Sequence, residues 1–386
     1  MPPAFRRSRH TWLLYLVYAV YGYALNSLGP ATPFLKSELD LTYTLASLHF
    51  SAFAVGMILA GLGGHLAVAR LGRKGVLWLA LFGMALSALG LAGGQTAWVT
   101  IAAAFLMGTV GSLLSSVVPS GLADEHGENR AIALTELNLI AAVGSGTAAL
   151  AVGWFSYTLL TWRFAFVLPL LIALGLWLGL GRTGMLGSAP AGQAEQAAAG
   201  ALPRRFWLYW LTLILVVSVE YCMVSWSADY LENAAGLSKA AAAQAVSLFQ
   251  AGMILGRLSA SRLLRRFNSL QILTAALLLS AAGFLLYWAA PLPALAVAGL
   301  FVTGLGVASL YPMSMALALG AAAGQTVQAG TRAGLASGIA IFTLPLVLGR
   351  LADALGIRQA YAVIVVLLVA AFALTRGMRE WGRGMG

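Results

Sequence analysis

Apolar residues run along this chain in long blocks, and polar residues gather in the short breaks between them. Twelve such blocks are legible: 12–34, 44–66, 75–94, 98–122, 131–154 and 163–181, then 206–231, 239–261, 269–289, 294–320, 331–351 and 359–376. Most have the roughly 20 residues that a helix needs to cross a hydrocarbon core. The most polar linker is 182–205, rich in Gly, Ala, Gln and Pro. The pattern predicts an all-α membrane protein with twelve transmembrane helices in two pseudo-symmetric six-helix bundles. Their bounds are 1–181 and 206–386, joined by 182–205.

A repeat supports that division. Gly-Met-Ile-Leu occurs at Gly56–Leu59 and again at Gly252–Leu255, 196 residues later. Each copy lies late in an apolar block that ends in a basic cluster. Arg70, Gly72, Arg73 and Lys74 close the first; Arg262, Arg265 and Arg266 close the second. At the same offset Phe105 and Gly108 match Phe301 and Gly304. Two halves on one plan point to a transporter, in which two bundles enclose one central site.

Composition changes the solvent. The chain is 60% hydrophobic and 9% charged, with a mean hydropathy of +0.87, whereas soluble domains carry about 25% charged residues. Lipid is therefore the expected surroundings. The net charge of +11 lies in the breaks, so topology explains it before nucleic acid does, and no nucleic-acid partner is expected. With both ends inside, 17 Lys and Arg fall on the cytoplasmic side against 5 outside. This predicts a multi-pass protein of the cell membrane with both termini cytoplasmic. The first apolar block reads as a retained helix, since no small-residue cleavage site follows it. Cys222 stands alone, so no internal disulfide is expected, and neither a metal nor a cofactor. A monomer is expected.

Ionisable groups at membrane depth mark function by default. Glu220, in helix 7, reads as a proton site or a substrate acceptor. Glu136, in helix 5 with Asn138 close by, has no partner on its own helix and needs water, substrate or another helix. Arg257, near the inner end of helix 8, reads as a gating or snorkelling residue; a buried position would suit an anionic substrate. Asn26 is a pore-lining donor. Trp226 and Tyr311 are candidate cavity aromatics, and Tyr18, Tyr21 and Tyr23 crowd helix 1. Arg70, Arg73 and Lys74 face Asp124, Glu125 and Glu128 as candidate gating charges, although basic residues also simply mark the inside. His49 is a lone histidine and weak evidence for titration in use. Pro30 and Pro33 are expected to interrupt the end of helix 1. Pro119, Pro169, Pro312 and Pro345 are expected to kink their helices.

The stretch "GGHLAVARLGRKGVL" resembles the loop motif of the major facilitator superfamily. Arg70, Gly72, Arg73 and Lys74 match its basic end, and Ala69 replaces its usual aspartate. The second half resembles the fucose permease and related sugar-porter branches through "VEYCMVSWSADYL", "GMILGRL" and "GLGVASLYPM". The resemblance implies an alternating-access carrier, often a proton symporter. The acidic pair of that branch in helices 1 and 4 is not apparent here.

The expected function is secondary transport of a small organic solute, sugar-like, with a proton as the candidate coupling ion. The alternative is proton-driven efflux of hydrophobic drugs or metabolites, for which the many methionines offer adaptable surface. No nucleophile–base pair or metal cluster points to an enzyme.

Overall fold

The computed structural model describes residues 5–183, 201–322 and 325–383. Among these residues the structure is helical, with no strand. The helices are α1 (Arg9–Glu38), α2 (Tyr43–Gly93), α3 (Ala97–Gly111), α4 (Leu114–His126), α5 (Arg130–Phe155), α6 (Leu168–Leu180) and α7 (Arg204–Asn233). They continue as α8 (Lys239–Leu263), α9 (Ser269–Ala289), α10 (Pro293–Val307), α11 (Leu310–Gly320), α12 (Thr326–Leu355), α13 (Ile357–Ala360) and α14 (Ala362–Arg383). Among the described residues, eight helical stretches are long and apolar enough to cross a membrane.

Helix starts follow their capping residues. Ser8 closes a capping box over α1 and Asn268 does the same for α9. Thr42 and Ser238 accept from the first turns of α2 and α8. Each side chain satisfies a backbone N–H that a helix start leaves without a partner. The apolar stretches 44–66 and 75–94 lie on one helix, α2, which bends at Gly72 (φ 66°, ψ 167°). Only glycine adopts that conformation cheaply. The expectation for Pro30 and Pro33 is corrected: α1 runs through both to Glu38. Pro30 withdraws the donor that the Asn26 carbonyl would receive, without ending the helix.

The 196-residue repeat reappears as geometry. Block 98–122 breaks between α3 and α4 at Ser112–Leu113, and block 294–320 breaks between α10 and α11 at Ala308–Ser309. A Cβ on Gly56 would strike the Phe105 carbonyl, and one on Gly252 the Phe301 carbonyl. Likewise Gly108 lies against the Phe53 carbonyl and Gly304 against Phe249. The α2–α3 and α8–α10 crossings are thus the same glycine-mediated contact, built twice. Small residues let backbones approach this closely where lipid offers no hydrophobic drive.

Elsewhere α1 packs on α5, α2 on α12, α5 on α8, and α7 on α1 and α12. The outside is apolar: Leu62, Leu86, Trp98, Leu178 and Val366 are all exposed. So large an apolar surface is stable only with lipid against it.

Candidate functional site

Four helices, two from each half of the chain, meet around a cavity of about 180 Å³. Each contributes a stripe at helical spacing, the positions that share one face. From α1 come Tyr18, Tyr21, Gly22, Leu25 and Asn26. From α5 come Asn138, Ala141, Ala142 and Ser145. Glu220, Tyr221 and Val224 face it from α7; Gln250, Met253 and Arg257 face it from α8. Close α1–α5 packing sets the wall, with Gly22 against the Ala141 carbonyl and Gly144 against that of Ala19.

A hydrogen-bond network forms one end of this cavity. Asn26 Nδ2 donates to Ser145 Oγ (2.9 Å) and to the Gly22 carbonyl (3.2 Å). Its Oδ1 accepts from Gln250 Nε2 at 3.0 Å, which ties α1 to α8. The Ser145 hydroxyl lies 3.0 Å from the Gly22 and Ala141 carbonyls. Ser145 and Gln250 are buried at this end, whereas Asn138 and Arg257 at the other end are exposed. The cavity is therefore sealed on one side and open towards the basic clusters. Glu220 and Arg257 share it without forming an ion pair or a hydrogen bond to any described residue.

Beyond the sealed side, further contacts join the two halves. Lys36 Nζ approaches Asp229 Oδ1 at 2.7 Å, with Asp229 fully buried. Neither Asp229 oxygen has a well-aligned hydrogen bond, so charge compensates its burial. Burial pushes the Lys36 ammonium below its usual range, and Asp229 works against that shift. The same ammonium lies 3.2 Å over the Tyr43 ring. Asp353, on α12, accepts from the Tyr43 and Thr44 N–H groups at 2.7 and 2.8 Å. An anion at a helix N-terminus is favourable there. Lys239 donates to Ser37 Oγ at 2.7 Å, and Ser51 Oγ to the Phe342 carbonyl at 2.8 Å.

The sequence candidates divide between these regions. Asn26, Asn138, Glu220 and Arg257 come together in the cavity. Glu136 lies apart from it, hydrogen-bonded by Arg7 at 2.5 and 2.9 Å and by Tyr15 at 3.1 Å. Its carboxylate raises the Arg7 pKa, first through those hydrogen bonds. Trp226 is fully buried in the closed region, donates to the Pro345 carbonyl and packs on Tyr43 and Phe50. Tyr311 does not line the cavity; like Tyr221 it packs against the buried cluster of Ala54, Val217, Ala340 and Ile341. Arg73 pairs with Asp124, which lies in the same half of the chain. Lys74 donates to the Thr183 carbonyl, and Arg70 is exposed. His49 is buried, with its ring nitrogens at Thr100 Oγ1 (2.8 Å) and the Ala46 carbonyl (3.0 Å). Both contacts read as structural.

Sequence reasoning passed over Gln250, Ser145, Asp229 and Asp353. Gln250 had a signal: it stands seven residues before Arg257, two turns along the same face. Asp229 had one too, as an acid inside the apolar block 206–231; Asp353, past the end of block 331–351, had none, because its partners come from a distant helix.

Comparison with known proteins completes the picture. The sequence pattern that defines the Major Facilitator Superfamily matches residues 14–276 and 229–379. An uncharacterized MFS-type transporter of Yersinia pestis is 24% identical over 379 residues, covering 94% of each chain. A hexuronate transporter of Bacillus subtilis is 25% identical over 234 residues, 55% of this chain and 54% of that one. A bacterial homolog of the human lysosomal transporter Spinster, solved inward-facing and occupied, superposes with a TM-score of 0.79 at 16% identity, covering 97% of both chains. The chain belongs to the Major Facilitator Superfamily and is a multi-pass membrane transporter, not an enzyme.

Proposed function

We propose that this chain is an alternating-access secondary transporter that moves a small, polar, sugar-like solute together with a proton. The cavity shared by α1, α5, α7 and α8 carries this reading. Its wall presents three amides, a carboxylate, a guanidinium and three phenols. A polyspecific pump for hydrophobic compounds would need the opposite lining, which disfavours that alternative. The curated hexuronate transporter adds support for a sugar-derived solute.

The proposed topology is twelve spans in two six-helix bundles, 1–181 and 206–386, with 182–205 as the linker. The 51 residues of α2 would extend about 75 Å if straight, far beyond one crossing of a ~30 Å core. The bend at Gly72 divides them into two spans. The 59-residue stretch 97–155 divides in the same way near Gly127. Those two divisions turn eight apolar stretches into ten, and α1 and α8, whose polar faces line the cavity, complete twelve. The arginine bias places the basic end in the cytoplasm, with both termini. In that orientation the cavity faces inward and the Lys36–Asp229 region is the closed outer side. Arg70, Arg73 and Lys74 then belong to the open inner mouth, and Glu220 is the proposed proton site.

The test is solute uptake into liposomes holding the purified chain, with and without an imposed pH gradient. Gradient-dependent flux of a polar solute, impaired in Asn26→Ala, is expected. Flux of hydrophobic dyes alone would contradict the reading.

A further inference from the structure

The cavity holds one anion and one cation, neither of which is paired. Glu220, on α7, and Arg257, on α8, both line it. Neither carries an ion pair or hydrogen bond to a described residue, so both are left for a ligand. The other titratable groups near Glu220 are phenols: Tyr18 and Tyr21 from α1, Tyr221 on its own helix, and Tyr311 from α11. Arg257 is the other charged side chain that lines the cavity.

The remaining polar groups are unevenly matched. Asn26 is occupied, donating to Ser145 and Gly22 and accepting from Gln250. Asn138 spends an N–H on the Leu134 carbonyl. The phenols and the five N–H groups of the guanidinium remain as donors, in the fork that fits a carboxylate. The open end adds a second observation. Three of its acids are taken: Arg7 holds Glu136, His10 holds Glu125 and Arg73 holds Asp124, while Glu128 forms no ion pair among the described residues. Arg70, Arg130 and Arg262 have no such partner among the described residues. A cationic mouth concentrates anions.

Building on the transporter reading above, we infer that the solute carries a carboxylate, which Arg257 receives while Glu220 takes up an accompanying proton. The charge balance sets the stoichiometry. Empty, the cavity holds one negative and one positive group and is neutral. A bound monoanion leaves it at minus one, which is costly at membrane depth. One proton on Glu220 restores neutrality, so one anion and one proton move together. Because binding linkage is reciprocal, each ligand tightens the other by the same factor.

Matched probes test this on the purified full-length chain by calorimetry. The pairs are glucuronate with glucose, gluconate with glucitol, and lactate with propane-1,2-diol; alanine serves as the zwitterion. We expect a carboxylate to bind at least tenfold tighter than its neutral partner. One proton should be taken up per anion bound, read by comparing buffers of different ionisation enthalpy. Arg257→Gln should abolish the preference, and Arg257→Lys should retain part of it. Glu220→Gln should bind the carboxylate without proton uptake. Tighter binding of a neutral partner or of alanine, or no binding by any carboxylate, overturns the inference. A neutral partner whose binding falls in Asn26→Ala would overturn the charge assignment while leaving the transporter reading intact. Failure of every probe to bind, joined to absence of flux in liposomes, would count against both.

Discussion

Gln250 joins the two halves of the chain at the cavity through one hydrogen bond to Asn26. A hydrogen bond of this kind contributes about 0.5–1.5 kcal/mol, small beside the stability of the protein. Gln250→Ala should therefore shift Tm little but weaken solute binding about tenfold, measured by calorimetry beside a thermal melt. Lys36 and Asp229 are different because Asp229 is fully buried. Removing Lys36 alone leaves a buried charge unpaired, a cost of about 3–5 kcal/mol, whereas removing both partners costs much less. Lys36→Met should raise the reactivity of a cysteine introduced at Thr32, buried one turn before Lys36 on α1, towards an impermeant maleimide. The double variant Lys36→Met, Asp229→Leu should restore protection. Equal reactivity in the single and double variants would show that this pair does not hold the region closed.

At the scale of elements, the glycine crossings define the frame. Gly56 and Gly252 meet backbone carbonyls of the neighbouring helix, while Gly61 has open space where a Cβ would go. Overpacking a tight contact costs about 1–3 kcal/mol. Gly56→Val and Gly252→Val should lower the Tm of the detergent-solubilised protein by comparable amounts, and Gly61→Val should leave it nearly unchanged. The repeat behind these crossings was legible in the sequence, since the glycines and phenylalanines recur 196 residues apart; which carbonyls the glycines meet was not. Apolar blocks likewise located the helices, because membrane solvent demands long uninterrupted runs. The path of α1 through Pro30 and Pro33 was not legible. A proline announces a lost hydrogen bond, and whether a helix survives it depends on neighbours remote in sequence. The cavity shows the same limit: Glu220, Arg257 and Asn26 were marked by their cost in lipid. Glu136 bore the same mark, yet its partners are Arg7 and Tyr15, from the N-terminal segment and α1.

For the whole molecule, the contacts between the halves are distributed unevenly. Lys36–Asp229, Lys239–Ser37, Asp353 at the start of α2 and Ser51–Phe342 all lie beyond the sealed side of the cavity. Arg73–Asp124, at the basic end, stays within one half. A transporter built this way opens its other face only by releasing the first group of contacts and bringing the basic ends together. The most direct measurement is a pair of inter-helix distances from spin labels. One pair joins Ser37→Cys with Ser238→Cys; the other joins Leu66→Cys with Leu335→Cys. The native Cys222 is buried and will not compete for label. Across changes of pH and added solute, the account predicts that the first distance lengthens as the second shortens. Both distances fixed under every condition, or rising together, would contradict it.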